Sequence, residues 1–255
     1  MQTAFAPAVR EAVTACRDHF GGELSAFYLA GSVAFGEAWP GVSDVDSFAF
    51  LQREPSDEDL EWARHLSQEL ADRHKPVDHY ALTVCSVDRL RREHIWRFIL
   101  RYNSERLSGH DLIGALAVEG VSTALPDRSL AESRLPWLRK LVEATAVGRF
   151  SEVVFKLPED PDLASRKLAR WLILVEGAHL LMADGGFVSF RQNDILRQLQ
   201  EHYPDWSPMF ETTTAILKDP YAAAVPPDAF ARQATDFLKC GIERITAGMS
   251  SERSS

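Results

Sequence analysis

The sequence predicts two domains, an N-terminal α/β domain with a mixed sheet and a C-terminal domain that is an all-α helical bundle. Helical and strand patterns alternate over the first third of the chain, and the strand pattern disappears after about residue 87. With 255 residues, 45% of them hydrophobic, the chain is long enough to bury two cores. We place the domains at residues 1–120 and 121–250, and we expect residues 251–255 to be a disordered tail.

Charge and cysteine content exclude several classes of protein. The 37 acidic residues outnumber the 28 basic ones, and the net charge of −9 favours small or cationic partners over nucleic acid. Three scattered cysteines supply neither a disulfide framework nor a zinc site. The N-terminal residues carry regular charges and no long apolar run. We therefore expect a soluble cytoplasmic protein, a monomer or dimer, with no membrane partner.

The first third of the chain predicts two helices and three strands. Apolar residues at helical spacing predict a first helix over 6–19, and a second, over 56–73, begins with a capping serine. The aromatic and aliphatic stretches 24–30 and 45–51 predict inner strands, and 76–84 predicts a third strand. This alternation is the basis for the mixed α/β prediction.

The rest of the chain predicts helices alone. Breaks near residues 108–109, 125–127 and 157–161 divide it. The segment 167–182 is apolar almost all round, which is typical of a helix surrounded by other helices. We place it at the centre of the C-terminal bundle, and we expect the last helix over 228–246.

Two aspartates stand two residues apart where the second strand begins. Side chains two apart on a strand point to the same side, so Asp44 and Asp46 can share a cation. Magnesium ions relieve the repulsion between carboxylates and commonly bind one or two of them together with substrate phosphates. Asp78, in the predicted third strand, could complete a site for one or two metal ions. Alternatively, Asp78 is a surface residue at the start of that strand.

A glycine and a serine follow the first predicted strand. A glycine turn that leads into a helix lets backbone N–H groups approach phosphates, and a serine hydroxyl adds a donor. Gly31 and Ser32 fit this description, and they precede Asp44 by about a dozen residues. The stretch therefore predicts a phosphate-binding turn followed by a metal-binding strand.

The chain resembles the nucleotidyltransferase superfamily that includes DNA polymerase β in the motifs Gly31-Ser32, Ser43-Asp44-Val45-Asp46 and Asp78. The resemblance implies that the two motif aspartates bind Mg²⁺, expected as two ions, with Asp78 as a metal ligand or general base. It also implies that Gly31, Ser32 and Ser43 bind the phosphates of ATP. In these enzymes an acceptor hydroxyl attacks the α-phosphate of a nucleoside triphosphate, and pyrophosphate leaves.

The C-terminal half resembles more loosely the aminoglycoside adenylyltransferases, through residues 166–191, RKLARWLILVEGAHLLMADGGFVSFR. This resemblance implies that Lys167 and Arg170 reach the triphosphate across an interdomain cleft and that Ser189 is a further phosphate neighbour. Arg191 stands two places after Ser189, where the family has a lysine directly after its serine. From the residues alone, the two cations could instead neutralise the acidic loop 159–162.

Three functional hypotheses follow from the sequence. The leading one is an adenylyltransferase that uses Mg²⁺ and moves AMP from ATP to a hydroxyl of a small molecule, an aminoglycoside-like antibiotic. The carboxylates of residues 159–162 would suit the ammonium groups of such an acceptor. A second hypothesis keeps the chemistry but has a protein or RNA acceptor. The third is a non-catalytic, antitoxin-like module that binds nucleotide.

Overall fold

The first half of the chain is built around a four-stranded sheet in a computed structural model that describes residues 2–121, 128–149, 157–223 and 225–252. The chain folds into two compact units, Met1–Leu125 and Pro126–Ser255. None of the helices in the described ranges combines the length and the hydropathy that a membrane span requires.

The sheet of the first unit mixes parallel and antiparallel pairs. Its strands are β1 (Leu24–Ala30), β2 (Val45–Leu51), β3 (Tyr80–Ser86) and β4 (Ser104–Gly109), in the order β3-β2-β1-β4. The inner strand β1 is antiparallel to β2 and to β4, whereas β2 is parallel to β3. The mixed sheet and the inner positions of β1 and β2 confirm the predictions from the sequence.

Helices cover both faces of this sheet. They are α1 (Ala6–Phe20), α2 (Gly31–Phe35), α3 (Asp57–Arg73), α4 (Val87–Arg92), α5 (His94–Tyr102) and α6 (Leu112–Val118). Because side chains alternate along a strand, Phe27 and Leu29 join the core under α1 and α3. Tyr28 and Phe48 join the opposite core, with residues of α5 and α6. Burying each such side chain stabilises the fold by about 1.5–3 kcal/mol relative to leaving it exposed.

Two strands differ from the predictions. The third strand begins at Tyr80 rather than at residue 76, so Asp78 lies in the connection before it. The edge strand β4, whose sequence is SERLSG, was not predicted at all. Its polar residues show no clear apolar alternation, and its pairing with β1 is a long-range interaction that local sequence patterns do not reveal.

The start of α3 is closed by reciprocal hydrogen bonds. The Ser56 hydroxyl accepts from the backbone N–H of Asp59, and the Asp59 carboxylate accepts from the N–H of Ser56. The predicted capping role of this serine is confirmed. Arg53 also donates to Asp59, and this guanidinium is the largest cause that lowers the pKa of Asp59 to about 2.

The second unit is helical in the described ranges. Its helices are α7 (Arg128–Ala146), α8 (Pro161–Leu168), α9 (Glu176–Ala183), α10 (Gln192–His202), α11 (Ser207–Lys218), α12 (Pro220–Ala223) and α13 (Pro227–Glu252). A π-helical segment, Ala169–Val175, joins α8 to α9. The apolar stretch predicted as the central helix lies here, and Leu172, Ile173 and Leu180 are fully buried.

The last helix is longer than predicted. It runs to Glu252 rather than ending at residue 246. Residues 251 and 252, assigned from the sequence to a disordered tail, are therefore helical, because an established helix extends at little cost where no proline interrupts it. Residues 253–255 of the predicted tail lie outside the described residues.

Candidate functional site

The register of β1 and β2 brings the glycine turn next to the aspartate pair. Ala30, the last residue of β1, is paired with Asp46. Gly31 follows at once and begins α2 with a positive φ of 67°. A Cβ atom at Gly31 would lie 3.4 Å from Oδ2 of Asp46, so glycine keeps the space beside this carboxylate open.

The turn into α2 is held by backbone hydrogen bonds. The N–H of Gly31 donates to the carbonyl of Asn103 at 2.9 Å, and the carbonyl of Ser32 accepts from the N–H of Glu37 at 2.8 Å. The first N–H groups of a helix point out of its N-terminal end, where they can meet an anion. Ser32 is buried, whereas Gly31 is half-buried. The turn is thus fixed at the position where the sequence predicted phosphate binding.

The two aspartates lie at the start of β2. Asp44 is half-buried directly before the strand, and Asp46 is exposed at its second position. Val45, between them, is fully buried in the core under α1 and α3. Burial of this valine fixes the local orientation, so Asp44 and Asp46 face away from that core. The structure therefore places Asp46 beside Gly31, with Asp44 two residues before Asp46 and Ser32 next to Gly31 in the chain.

Ser43 anchors the loop that leads to Asp44. It is buried, and its hydroxyl accepts a hydrogen bond from the N–H of Trp39 at 2.8 Å. The N–H of Ser43 in turn donates to the carbonyl of Trp39 at 2.9 Å. Val45 donates to the carbonyl of His79 at 2.8 Å, which fastens the loop to the connection before β3. These hydrogen bonds therefore hold the segment that leads to Asp44 at several points.

Asp78 lies in the connection before β3. Its N–H donates to the carbonyl of Ser43 at 3.4 Å, but its exposed side chain lines a groove of about 560 Å³ along α3. The residue paired with Asp46 on β3 is Ala81. Among the described residues, no three histidine, cysteine, aspartate or glutamate side chains lie together as a metal cluster. Asp78 precedes β3 instead of standing in it, and its role as a third carboxylate of the site stays a prediction.

The predicted cations of the second unit lie well inside a helix. Asp160 caps α8, and its carboxylate accepts from the N–H groups of Asp162 and Leu163. Lys167, in the last turn of α8, is 3% exposed, and Arg170 is half-buried in the π-helical segment. They do not stand in the first helical turn, where the acidic loop would neutralise them. The neighbouring Arg166 shows that positive charges lie close together here. Its own burial, and after that the charge of Arg170, lower the pKa of Arg166 to about 10.

Ser189 stands before α10 with its hydroxyl engaged. The hydroxyl donates to Oδ2 of Asp194 at 2.5 Å and accepts from the N–H of Arg191 at 3.2 Å. A phosphate contact at Ser189 would require the bond to Asp194 to break.

One charged residue was not singled out from the sequence. Glu176 is completely buried and accepts a hydrogen bond from Arg134 at 3.1 Å. The signal in the sequence was a single acidic residue within the apolar run 171–182.

Comparison with known proteins identifies the fold. No family model and no curated protein matches the chain. Among solved structures, it is similar to spectinomycin adenyltransferase AAD(9) from Enterococcus faecialis, a structure with ATP and spectinomycin. The TM-score is 0.57 at 12% sequence identity, over 93% of this chain and 99% of that one. The chain has a nucleotidyltransferase-like fold. It resembles the aminoglycoside adenylyltransferases, as the motifs in the sequence indicated.

A toxin-antitoxin structure with AMP-PNP also matches, with a TM-score of 0.33 and 13% identity, over 51% of this chain and 96% of that one.

Proposed function

We propose that this protein is a nucleotidyltransferase that uses Mg²⁺ to move AMP from ATP to a hydroxyl of a small molecule, an aminoglycoside-like antibiotic. The observation that supports this most is the pairing of Ala30 with Asp46, which sets the exposed carboxylate beside the glycine turn. A triphosphate with a bound metal ion needs a turn that binds its phosphates and, next to this turn, carboxylates that bind the metal. The nucleotidyltransferase-like fold also supports this chemistry, but only at the level of the fold.

The residues at the start of β2 fit a magnesium ion. Asp44 and Asp46 supply carboxylate oxygens, the donors that Mg²⁺ prefers, and Gly31 leaves the space beside Asp46 unfilled. When bound, Mg²⁺ would neutralise phosphate charge and stabilise the leaving pyrophosphate. We assign metal binding to these two aspartates. A catalytic role of Asp78, as the base that takes the proton of the acceptor hydroxyl, stays a prediction.

Hydroxyl and cationic groups would hold the nucleotide. Because a serine hydroxyl can accept one hydrogen bond and donate another, the contact of Ser43 with Trp39 leaves a proton for a phosphate oxygen. Ser32 would add a second hydroxyl at the start of α2. Lys167 and Arg170 are the proposed cationic contacts of the triphosphate. The acceptor oxygen would then bond to the α-phosphorus as its bond to pyrophosphate breaks.

Charge favours a cationic acceptor. The chain carries a net charge of −9, and the loop before α8 includes Asp160 and Asp162. Ammonium groups of an aminoglycoside form charge-assisted hydrogen bonds with such carboxylates. Spectinomycin is the first acceptor to test, since the similar AAD(9) structure contains it. Antibiotic resistance would be the biological outcome.

Pyrophosphate release tests the proposal. ATP, GTP, CTP and UTP are each incubated with Mg²⁺, the protein and a panel of aminoglycosides that includes spectinomycin. We expect release with ATP that needs both an acceptor and Asp44, so that Asp44→Asn abolishes it. Asp18→Asn, on the exposed surface of α1, is the matched control and should keep full activity. Release that survives Asp44→Asn would contradict the proposal.

A module that binds nucleotide without transferring it is the second candidate. The observation in its favour is Ala81, a residue without a carboxylate, beside Asp46. Under this candidate, Mg²⁺ and ATP bind with the same dependence on Asp46, but no acceptor in the panel elicits pyrophosphate.

A further inference from the structure

Asn103 lies beside the glycine turn that begins α2. Its carbonyl accepts the hydrogen bond from the N–H of Gly31 at 2.9 Å. This bond continues the antiparallel pairing in which Ala30 of β1 stands opposite Ser104 of β4. Hydrogen-bonded residues in such a pair have Cα atoms about 5.5 Å apart. Since Asp46 is paired with Ala30 on the other side of β1, Asn103 belongs to the end of the sheet that carries the proposed phosphate and metal site.

Two polar side chains at this turn make no hydrogen bond within the described part of the chain. One is the hydroxyl of Ser32, a residue that is 5% exposed, and the other is the amide of Asn103, which is half-buried. Solvent reaches the polar atoms of both side chains. The neighbouring Ser104, in contrast, donates its hydroxyl to the carbonyl of Leu100 at 2.7 Å. Polar side chains inside folded proteins are nearly always hydrogen-bonded, so two such groups next to Gly31 indicate a binding site.

The backbone gives no reason for an asparagine at position 103. Asn103 ends α5, and asparagine is common after a helix where the backbone is left-handed. Here, however, φ is −129° and ψ is 15°, which lies outside the left-handed region. The N–H of Asn103 donates to the carbonyl of Ile99 at 2.9 Å, a bond that any residue except proline can make. The amide side chain is therefore available to a ligand.

We infer that Asn103 is a further nucleotide-binding residue, whose side-chain amide donates to a phosphate oxygen of the triphosphate. An asparagine amide carries two N–H donors, and the hydroxyl of Ser32 carries one more. The N–H of Gly31 is already taken up by the carbonyl of Asn103, so it has no proton to give to a phosphate. The amide of Asn103 supplies a donor beside the turn in its place.

The inference deepens the proposed function and rests on it, because it requires a triphosphate at the glycine turn. Binding is therefore measured apart from turnover. The probe is inorganic tripolyphosphate with Mg²⁺, titrated calorimetrically into the full chain without nucleotide, and ATP with Mg²⁺ is titrated for comparison. Tripolyphosphate has neither ribose nor adenine, so a change in its affinity reports a contact with phosphate.

Two variants test the contact, and a third is the control. Asn103→Ala removes the amide, and we expect it to weaken binding of both probes about tenfold, the loss expected for one hydrogen bond to a charged group. Asn103→Asp keeps the shape of the side chain but sets a negative charge beside the phosphates, so it should weaken binding further. Gln52→Glu makes the same change from amide to carboxylate on the exposed residue after β2, at the opposite end of this strand from Asp46. It should bind like the unaltered chain.

Each outcome decides the inference. An Asn103→Ala variant that binds tripolyphosphate as tightly as the unaltered chain overturns it, since water alone would then complete the amide, and so does an unaltered chain that does not bind this probe. If Asn103→Asp does not fold, as judged by circular dichroism, Asn103→Ala decides alone. The expected losses of affinity, with no pyrophosphate release that depends on Asp44, leave the inference standing and overturn the proposed function. Release that depends on Asp44, with unchanged binding in both Asn103 variants, does the reverse.

Discussion

Asp46 and Ala81 are paired across the parallel strands β2 and β3. Neighbouring strands lie about 4.8 Å apart, and paired residues present their side chains to the same face of the sheet. Asp46 is exposed, Ala81 is half-buried, and a methyl group therefore stands beside the carboxylate. A carboxylate at position 81 would lie within reach of a cation held by Asp46. The pairing thus offers a gain-of-function test of the metal site.

We expect Ala81→Asp to raise the affinity of the protein for Mg²⁺. A third carboxylate adds both an oxygen ligand and negative charge to the pair, and we expect an effect of about tenfold, near 1.4 kcal/mol. Calorimetric titration of the nucleotide-free protein with Mg²⁺ measures it. Ala81→Asn has nearly the same shape without the charge and should change the affinity little. Equal affinities of the two variants would argue against a metal at this position.

Asp78→Asn should leave Mg²⁺ affinity unchanged, whereas Asp46→Asn should abolish measurable binding. The reason is geometric, since Asp78 lines the groove along α3 and is not grouped with the aspartate pair. The same titration compares the two variants. A loss of affinity in Asp78→Asn as large as that in Asp46→Asn would show that Asp78 is a ligand after all.

Gly31→Ala should weaken binding of ATP in the presence of Mg²⁺. An alanine there takes a left-handed backbone conformation, which costs about 1–2 kcal/mol of stability, and its methyl group meets Oδ2 of Asp46. Gly36→Ala is the matched control, because φ is also positive but no atom lies within 4 Å of its Cβ. Urea unfolding should show similar destabilisation of both variants. Only Gly31→Ala should bind the nucleotide less tightly, and equal binding would contradict this account.

Asp59→Asn should remove part of the stability of the protein at neutral pH and change its response to acid. The pKa of Asp59 is lowered from 3.8 to about 2, first by the hydrogen bond from Arg53. A lowered pKa in the folded state stabilises above the unfolded value, and this contribution disappears as pH falls from about 4 to about 2. The variant keeps the Ser56 cap and loses the charge that pairs with Arg53. Urea unfolding at several pH values should show a shallower acid decline for the variant, and parallel curves would contradict this.

Local features of the chain were readable from the sequence, and long-range ones were not. The bounds of β1 and β2 match the predicted strands 24–30 and 45–51, because buried apolar runs define them. Strand β4 escaped prediction because its formation depends on pairing with β1. The start of β3 at Tyr80 is likewise set where pairing with Val45 begins.

The residues of the candidate site likewise divide into a local group that the sequence predicted and long-range neighbours that it did not. Gly31, Ser32, Asp44 and Asp46 lie within one short stretch, and the position of Asp46 beside Gly31 follows from a single strand pairing. The neighbour of Asp46 on β3 could not be read from the sequence, because the register of the strand pair decides which residue stands there, and Ala81 rather than Asp78 does. The partner of Glu176, Arg134, lies 42 residues away in the sequence, so only the fold reveals the pair.

The most direct test of the central claim is to follow the phosphorus atoms of ATP by ³¹P NMR with Mg²⁺, the protein and spectinomycin. We expect pyrophosphate and a new phosphodiester signal to grow together, and neither to appear with Asp46→Asn. This result would establish attack at the α-phosphate. Formation of ADP and orthophosphate instead would mean attack at the γ-phosphate and would contradict the assignment of this protein as a nucleotidyltransferase.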